Sequence, residues 1–231
     1  MKKLLAIAIS AAALSAMADA TTAEGSNEIG TLAIQSSLRK TIVAVPFNTL
    51  GEATTSIKPS DLILTTGLLD GDQLYIFKNG AYEGWLLDGS AWTAVDNAVA
   101  GLPDRSKADG ETTVPLGSGF WLVRNSSYVE GTPFTFYIYG QYVSGVTSDI
   151  VAGAQNLIAN PLTEPARPNI AKPSAGDVIL VPQQGPAPQR YTYRNNAWKQ
   201  SGSTVTLPQF APGTGAWYIS AGSSNTTCSW E

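Results

Sequence analysis

The sequence predicts an all-β fold made of two tandem homologous repeats. Three observations carry that expectation. Short β-branched or alternating segments are separated by Gly, Pro, Asn and Asp turns, the pattern of strands joined by tight connections. Runs of helix formers are scarce beyond residue 20. A set of turn and aromatic motifs also occurs twice in the same order. Lys58-Pro59-Ser60 returns as Lys172-Pro173-Ser174, Gly71-Asp72 as Gly176-Asp177, and Ala91-Trp92 as Ala197-Trp198. Gly117-Ser118-Gly119-Phe120-Trp121 returns as Gly213-Thr214-Gly215-Ala216-Trp217. Ordered recurrence of this kind marks a duplicated unit. The repeats are expected to pack either as two small sandwich- or barrel-like units or as two halves of one pseudo-symmetric body.

Residues 1–20 read as a signal peptide. Lys2 and Lys3 form a positive start, Leu4 to Ala16 is apolar, and Ala18-Asp19-Ala20 fits a small-residue cleavage site. The apolar run is too short for a good membrane span, and no later stretch approaches spanning length. The organisation expected is therefore signal peptide 1–20, first β repeat 21–141 and second β repeat 142–231. Export places the chain in the periplasm, on the outer surface or outside the cell.

In the first repeat the expected strands are Ile29–Ser36, Lys40–Pro46, Gln73–Lys78, Tyr82–Leu87, Phe120–Arg124 and Phe134–Gln141. Asn79-Gly80 supplies a hairpin turn between the third and fourth. Asp61 to Leu68 is read as one short helical turn. Asp88-Gly89-Ser90 turns the chain into Ala91-Trp92, and the run Phe134 to Tyr139 closes the repeat. In the second repeat the expected strands are Tyr142–Gly145, Asn156–Asn160, Val178–Val181, Arg190–Tyr193, Val205–Leu207, Ala216–Ser220 and Thr226–Trp230. Asn195-Asn196 turns into Ala197-Trp198 as its counterpart does. Pro161 to Pro173 and Pro182 to Pro188 are proline-rich, so they form connections or blunted edges. Lys58 to Asp72 spans 14 positions against 5 for Lys172 to Asp177, and Trp92 to Trp121 spans 29 against 19 for Trp198 to Trp217, so the first repeat carries insertions near 62–70 and 96–111. The second insertion contains the mixed-charge stretch Asp104-Arg105-Ser106-Lys107-Ala108-Asp109, and loops on a rigid β scaffold are where binding concentrates.

Several of these strings resemble a known group. Ile29-Gly30-Thr31-Leu32-Ala33-Ile34 followed by Thr41-Ile42-Val43-Ala44-Val45-Pro46 opens the first copy, and Asn156-Leu157-Ile158-Ala159-Asn160-Pro161 is the clearer opening of the second. A Gly-Asp turn, a tyrosine strand, an Ala-Trp pair and a Gly-x-Gly-aromatic close follow. This order is similar to uncharacterised secreted β-repeat proteins of the Verrucomicrobia, Lentisphaerae and Planctomycetes group of bacteria. The resemblance implies an exported bacterial β protein and carries no catalytic residues with it.

Composition narrows the chemistry. Loss of Lys2, Lys3 and Asp19 with the leader leaves 12 basic against 17 acidic residues, a net charge of −5. That is a poor match for nucleic acid, which needs clustered Lys and Arg. The chain has no histidine, which removes Ser-His-Asp and Cys-His nucleophiles and imidazole metal sites. No metal site and no cofactor is expected. Cys228 is the single cysteine, so it is either a free thiol or an intermolecular link. Asp70, Asp72, Glu83 and Asp88 are the carboxylates nearest to a glycosidase-like pair, but only Asp72 has a counterpart, Asp177, and turn chemistry accounts for both.

The leading expectation is a non-enzymatic exported protein with a structural or adhesive role at the cell surface. Its partners would be itself or another surface protein, joined through Cys228 or the last strand. The alternative is a carbohydrate-binding module, with Trp85 as an exposed platform and Tyr82, Asp104 and Arg105 around it. A carboxylate-dependent hydrolase is the remote third reading. The repeated tryptophans Trp92/Trp198 and Trp121/Trp217 are assigned to the core.

Overall fold

The computed structural model describes residues 29–44, 47–48, 56–57, 63–64, 66–78, 81–94, 105–107, 114–115, 118–142, 145–184 and 187–231. The leader, the Asn79-Gly80 turn, Asp104 and most of the 96–111 insertion lie outside these residues. The described part is all-β and contains no helix.

The first half comprises β1 (Ile29–Ser36), β2 (Lys40–Ala44), β3 (Phe47–Asn48), β4 (Ser56–Ile57), β5 (Ile63–Leu64) and β6 (Gln73–Lys78). It continues with β7 (Ala81–Asp88), β8 (Ala91–Ala94), β9 (Arg105–Lys107), β10 (Val114–Pro115), β11 (Gly119–Val123) and β12 (Phe134–Tyr142). The second half comprises β13 (Ser148–Ile150), β14 (Gln155–Ala159), β15 (Pro168–Ile170), β16 (Val178–Val181) and β17 (Gln189–Arg194). It ends with β18 (Ala197–Gln200), β19 (Ser203–Thr204), β20 (Gly215–Ile219) and β21 (Thr226–Trp230).

The halves share one pairing scheme. The larger sheet runs β2-β11-β6-β7-β8 in the first and β14-β20-β16-β17-β18-β19 in the second. The smaller sheet centres on β12, flanked by β1 and by β3 and β5, and on β21, flanked by β13 and β15. β9, from the second insertion, pairs in parallel with the first residues of β7.

Side-chain alternation, period two along a strand, gives each larger sheet two buried faces. Val43, Leu74, Ile76, Trp85, Leu87, Phe120 and Leu122 face the smaller sheet's Leu32, Ile34, Phe136 and Ile138. Ile158, Ile179, Tyr191, Ala216 and Tyr218 do the same toward Ile150, Ile170, Cys228 and Trp230. Each half is thus a small sandwich. The intervening residues Ile42, Ala44, Tyr75, Tyr82, Trp121 and Val123 form a third cluster with Leu157, Ala159 and Trp217. That cluster is the seam, and it is why all five residues of β11 are buried.

The contacts across the seam are reciprocal. Val43 bridges Thr214, and Ser118 bridges Ile158. Val43 and Ile158 occupy matching places in β2 and β14, as Ser118 and Thr214 do before β11 and β20. The equivalent tryptophans Trp121 and Trp217 meet each other, ring centroids 6.1 Å apart. A Cβ on Gly119 would stand 2.9 Å from Ile42 Cγ2 in its own sheet and 3.3 Å from the Leu157 Cβ across the seam, and one on Gly215 would stand 2.5 Å from the Cβ of Ala159, its cross-strand neighbour in β14.

Several element expectations are corrected. Tyr142 belongs to β12, where it pairs with Phe47; of the strand expected at Tyr142–Gly145, residues 143 and 144 lie outside the described residues, and the next described strand is Ser148–Ile150. The repeat boundary at 141/142 accordingly falls one residue inside β12. Ile63–Leu64 is a strand paired with Tyr137 and Ile138, where a helical turn was expected. Val205–Leu207 forms no ladder; its strand character is displaced to Ser203–Thr204. The Gly-x-Gly strings, read from the sequence as turns that need positive φ before an aromatic strand, place Gly119 and Gly215 inside β11 and β20, and Gly213 takes the positive φ, 72°.

Candidate functional site

The repeated Gly-Asp turns come first, because they hold the buried carboxylates. In each, the Asp N–H donates to the carbonyl three residues back: Asp72 to Leu69 at 2.9 Å and Asp177 to Ser174 at 3.0 Å. Gly71 and Gly176 take φ of +86° and +100°, which a type II turn demands at its third position. Both carboxylates point inward and are almost inaccessible. Asp72 accepts from the Leu69 and Asn125 main-chain N–H groups, each at 2.8 Å. Asp177 accepts from the matching pair, Ser174 at 2.6 Å and Ala221 at 2.7 Å. Each Asp therefore ties the turn ahead of β6 or β16 to the residue two beyond β11 or β20.

The third partner differs. Asp72 is paired with the buried Arg124 guanidinium at 3.0 Å, which itself lies 4.2 Å from the Phe134 ring and 5.2 Å from that of Tyr128. Asp177 instead accepts from the buried Tyr218 hydroxyl. Burial, with the Asp177 carboxylate adding to it, raises the Tyr218 phenol far above its ordinary range. These oxygens serve the fold and face no solvent. Asp70 and Asp88 are exposed. Among the described residues no group of three or more His, Cys, Asp or Glu is placed to hold a metal ion.

The expected sugar platform is overturned. Trp85 is 5% exposed and lies inside the first sandwich. Tyr82, three residues earlier on β7, is also 5% exposed but points to the seam, edge-on to Tyr75 and Trp217 at 6.3 Å from each. Residues three apart on a strand face opposite sides, so these two cannot share a site. Burial pushes the Tyr82 phenol up to about 12, partly offset by the neighbouring Trp121 indole. The Trp121 N–H itself reaches no acceptor in hydrogen-bond geometry among the described residues. Arg105 lies in β9, its backbone in register with Tyr82.

The expected intermolecular link is corrected as well. Cys228 is fully buried. β21 is the central strand of its sheet, with Cys228 opposite Ser148 on one side and Ile170 on the other. It therefore offers neither an accessible thiol nor a free edge. Burial pushes the thiol up to about 12.

One concave feature was not anticipated. A cleft of about 330 Å³ opens along the seam. The first half contributes residues from the end of β1 through the start of β2, among them Gln35, Ser36, Thr41 and Ile42. The second contributes Val181 and Pro182 after β16, Gln189 at the start of β17, and the segment Pro208 to Ala211 ahead of β20. Nearby, the Gln184 side chain donates to the Ser37 hydroxyl across the two halves at 3.0 Å. No sequence motif marks this cleft, because its walls come from segments more than 100 residues apart. No family model, curated protein or solved structure matches this chain.

Proposed function

We propose that this is an exported, non-catalytic bacterial protein with a structural or adhesive role at the cell surface, built from two copies of one unit. The observation that carries the reading is the commitment of Asp72 and Asp177 to main-chain donors. They are the carboxylates that recur in both halves, and each acts as a tie between turn and strand. The leader-like residues 1–20, the low charge density and the resemblance to secreted β-repeat proteins support export. The matched pairing schemes and the reciprocal seam support duplication of one unit.

The test is expression of an epitope-tagged full chain in a Gram-negative host, followed by N-terminal sequencing, cell fractionation and protease shaving of intact cells. A mature N-terminus at Thr21 and surface cleavage are expected. Retention of residues 1–20 on cytoplasmic protein would sink the reading. Turnover of a glycoside or ester that vanishes in Asp72→Asn, with the fold intact, would replace it with the hydrolase.

A further inference from the structure

The seam cleft combines three properties. It is uncharged, since none of the residues lining it is Asp, Glu, Lys or Arg. It is rich in groups that both donate and accept: Gln35, Gln189 and Gln209 line it, and none of their amides makes a side-chain hydrogen bond to the described residues. It has an apolar floor that includes Phe210, held edge-on against Trp230 at 5.6 Å. The Ser36 and Thr41 hydroxyls are bonded to one another at 2.7 Å, which fixes their positions on one wall before any ligand arrives.

We propose that this cleft binds a neutral saccharide. A charged ligand would be desolvated against walls with no counter-charge, which is costly. A purely apolar ligand would cover amides without partnering them. A pyranose has apolar C–H faces for the floor and hydroxyls that alternately donate and accept, which is what glutamine amides supply. The volume lies at the lower end of small-ligand sites, so one or two sugar rings are accommodated. The binding mode differs from stacking on an exposed tryptophan, and it needs both halves, because the amides come from Gln35 on one side and Gln189 and Gln209 on the other. This site adds to the proposed surface role and does not depend on where the protein resides.

The test is titration calorimetry of the full mature chain with neutral gluco-, xylo-, manno- and chito-oligosaccharides, and with oligogalacturonate and a neutral peptide as controls. Saturable binding to at least one neutral oligosaccharide is expected. Gln35 and Gln209 are exposed, so Gln35→Ala/Gln209→Ala keeps the melting temperature while weakening affinity about tenfold or more. Ala211→Trp, at another exposed lining position, abolishes binding by filling the cleft. Absence of saturable binding across the neutral panel overturns the proposal. So does binding that survives these substitutions, or a preference for the acidic oligosaccharide or the peptide.

Discussion

Replacing Asp72 by Ala strands a buried cation. Arg124 is 4% exposed, and Asp72 is its one salt-bridge partner among the described residues. Removing one member of a buried pair costs about 3–5 kcal/mol, because the surviving charge stays desolvated. The Leu69 and Asn125 N–H groups lose their acceptor in the same step, which pushes Asp72→Ala toward the upper end of that range, about 5 kcal/mol. That is the scale of a whole domain's stability. Arg124→Met costs less, since Asp72 keeps two main-chain donors. The double variant Asp72→Ala/Arg124→Met removes the stranded charge and should be more stable than Asp72→Ala alone by about 2 kcal/mol. Urea unfolding followed by tryptophan fluorescence measures all four proteins, provided the m-value holds constant. Simple additivity, with coupling under about 0.5 kcal/mol, would refute the ion-pair account. The second half provides the control. Asp177 has no salt-bridge partner among the described residues, so Asp177→Ala costs about 2–4 kcal/mol, and adding Tyr218→Phe on that background is nearly neutral.

Alkaline pH provides a second check. Cys228, Tyr82 and Tyr218 are all raised by burial in the folded state. Above about pH 9 the unfolded chain loses these protons first, so it binds fewer than the native state and stability falls as pH rises, through to about 12. Urea midpoints across pH 8–11 should decline, and Cys228→Ala should move the onset upward, toward the tyrosines. A thiol reagent should label Cys228 only on unfolding, and non-reducing gels should show monomer; rapid labelling of native protein contradicts the burial of β21. At the seam, Trp121→Ala should cost about 3–5 kcal/mol, with Trp217→Ala costing less because that ring is half-buried. Equal effects in thermal melts would mean that the two rings do not bury as described. At the β17–β18 turn, Asn195 and Asn196 both take positive φ, 52° and 56°; Asn196→Gly should raise stability by up to about 1 kcal/mol, and a loss would show that the turn is not of this type.

Much of the fold was legible because strands announce themselves locally. Ile29–Ser36, Gln73–Lys78, Val178–Val181 and Thr226–Trp230 agree with the structure end to end, each being a β-branched or alternating run between turn residues. The Gly-Asp and Asn-Asn turns were legible for the same reason, since the φ they need is a property of the residue. Short strands such as Ile63–Leu64 and Pro168–Ile170 were missed. Their pairing comes from β12 and β21, and nothing in a two- or three-residue segment signals it. Trp85 and Tyr82 were misread because exposure is decided by what lies over a strand. β7 is covered on both sides, by its own sandwich partner and by the seam.

The sequence by itself therefore determined the all-β class, the recurring turns and the roster of chemistry that a chain without histidine can perform. Those follow from residue type and short-range spacing. The tertiary structure alone decided that Asp72 and Asp177 close on main-chain donors brought from β11 and β20. It decided that Cys228 sits in a central strand, and that Gln35 meets Gln189 and Gln209 across one cleft. The physical reason is the same in each case. A buried face, a satisfied carboxylate and a cleft wall are made by groups distant along the chain: strand pairing and sheet packing within each half bring together the first two, and packing of the two larger sheets against each other brings together the third.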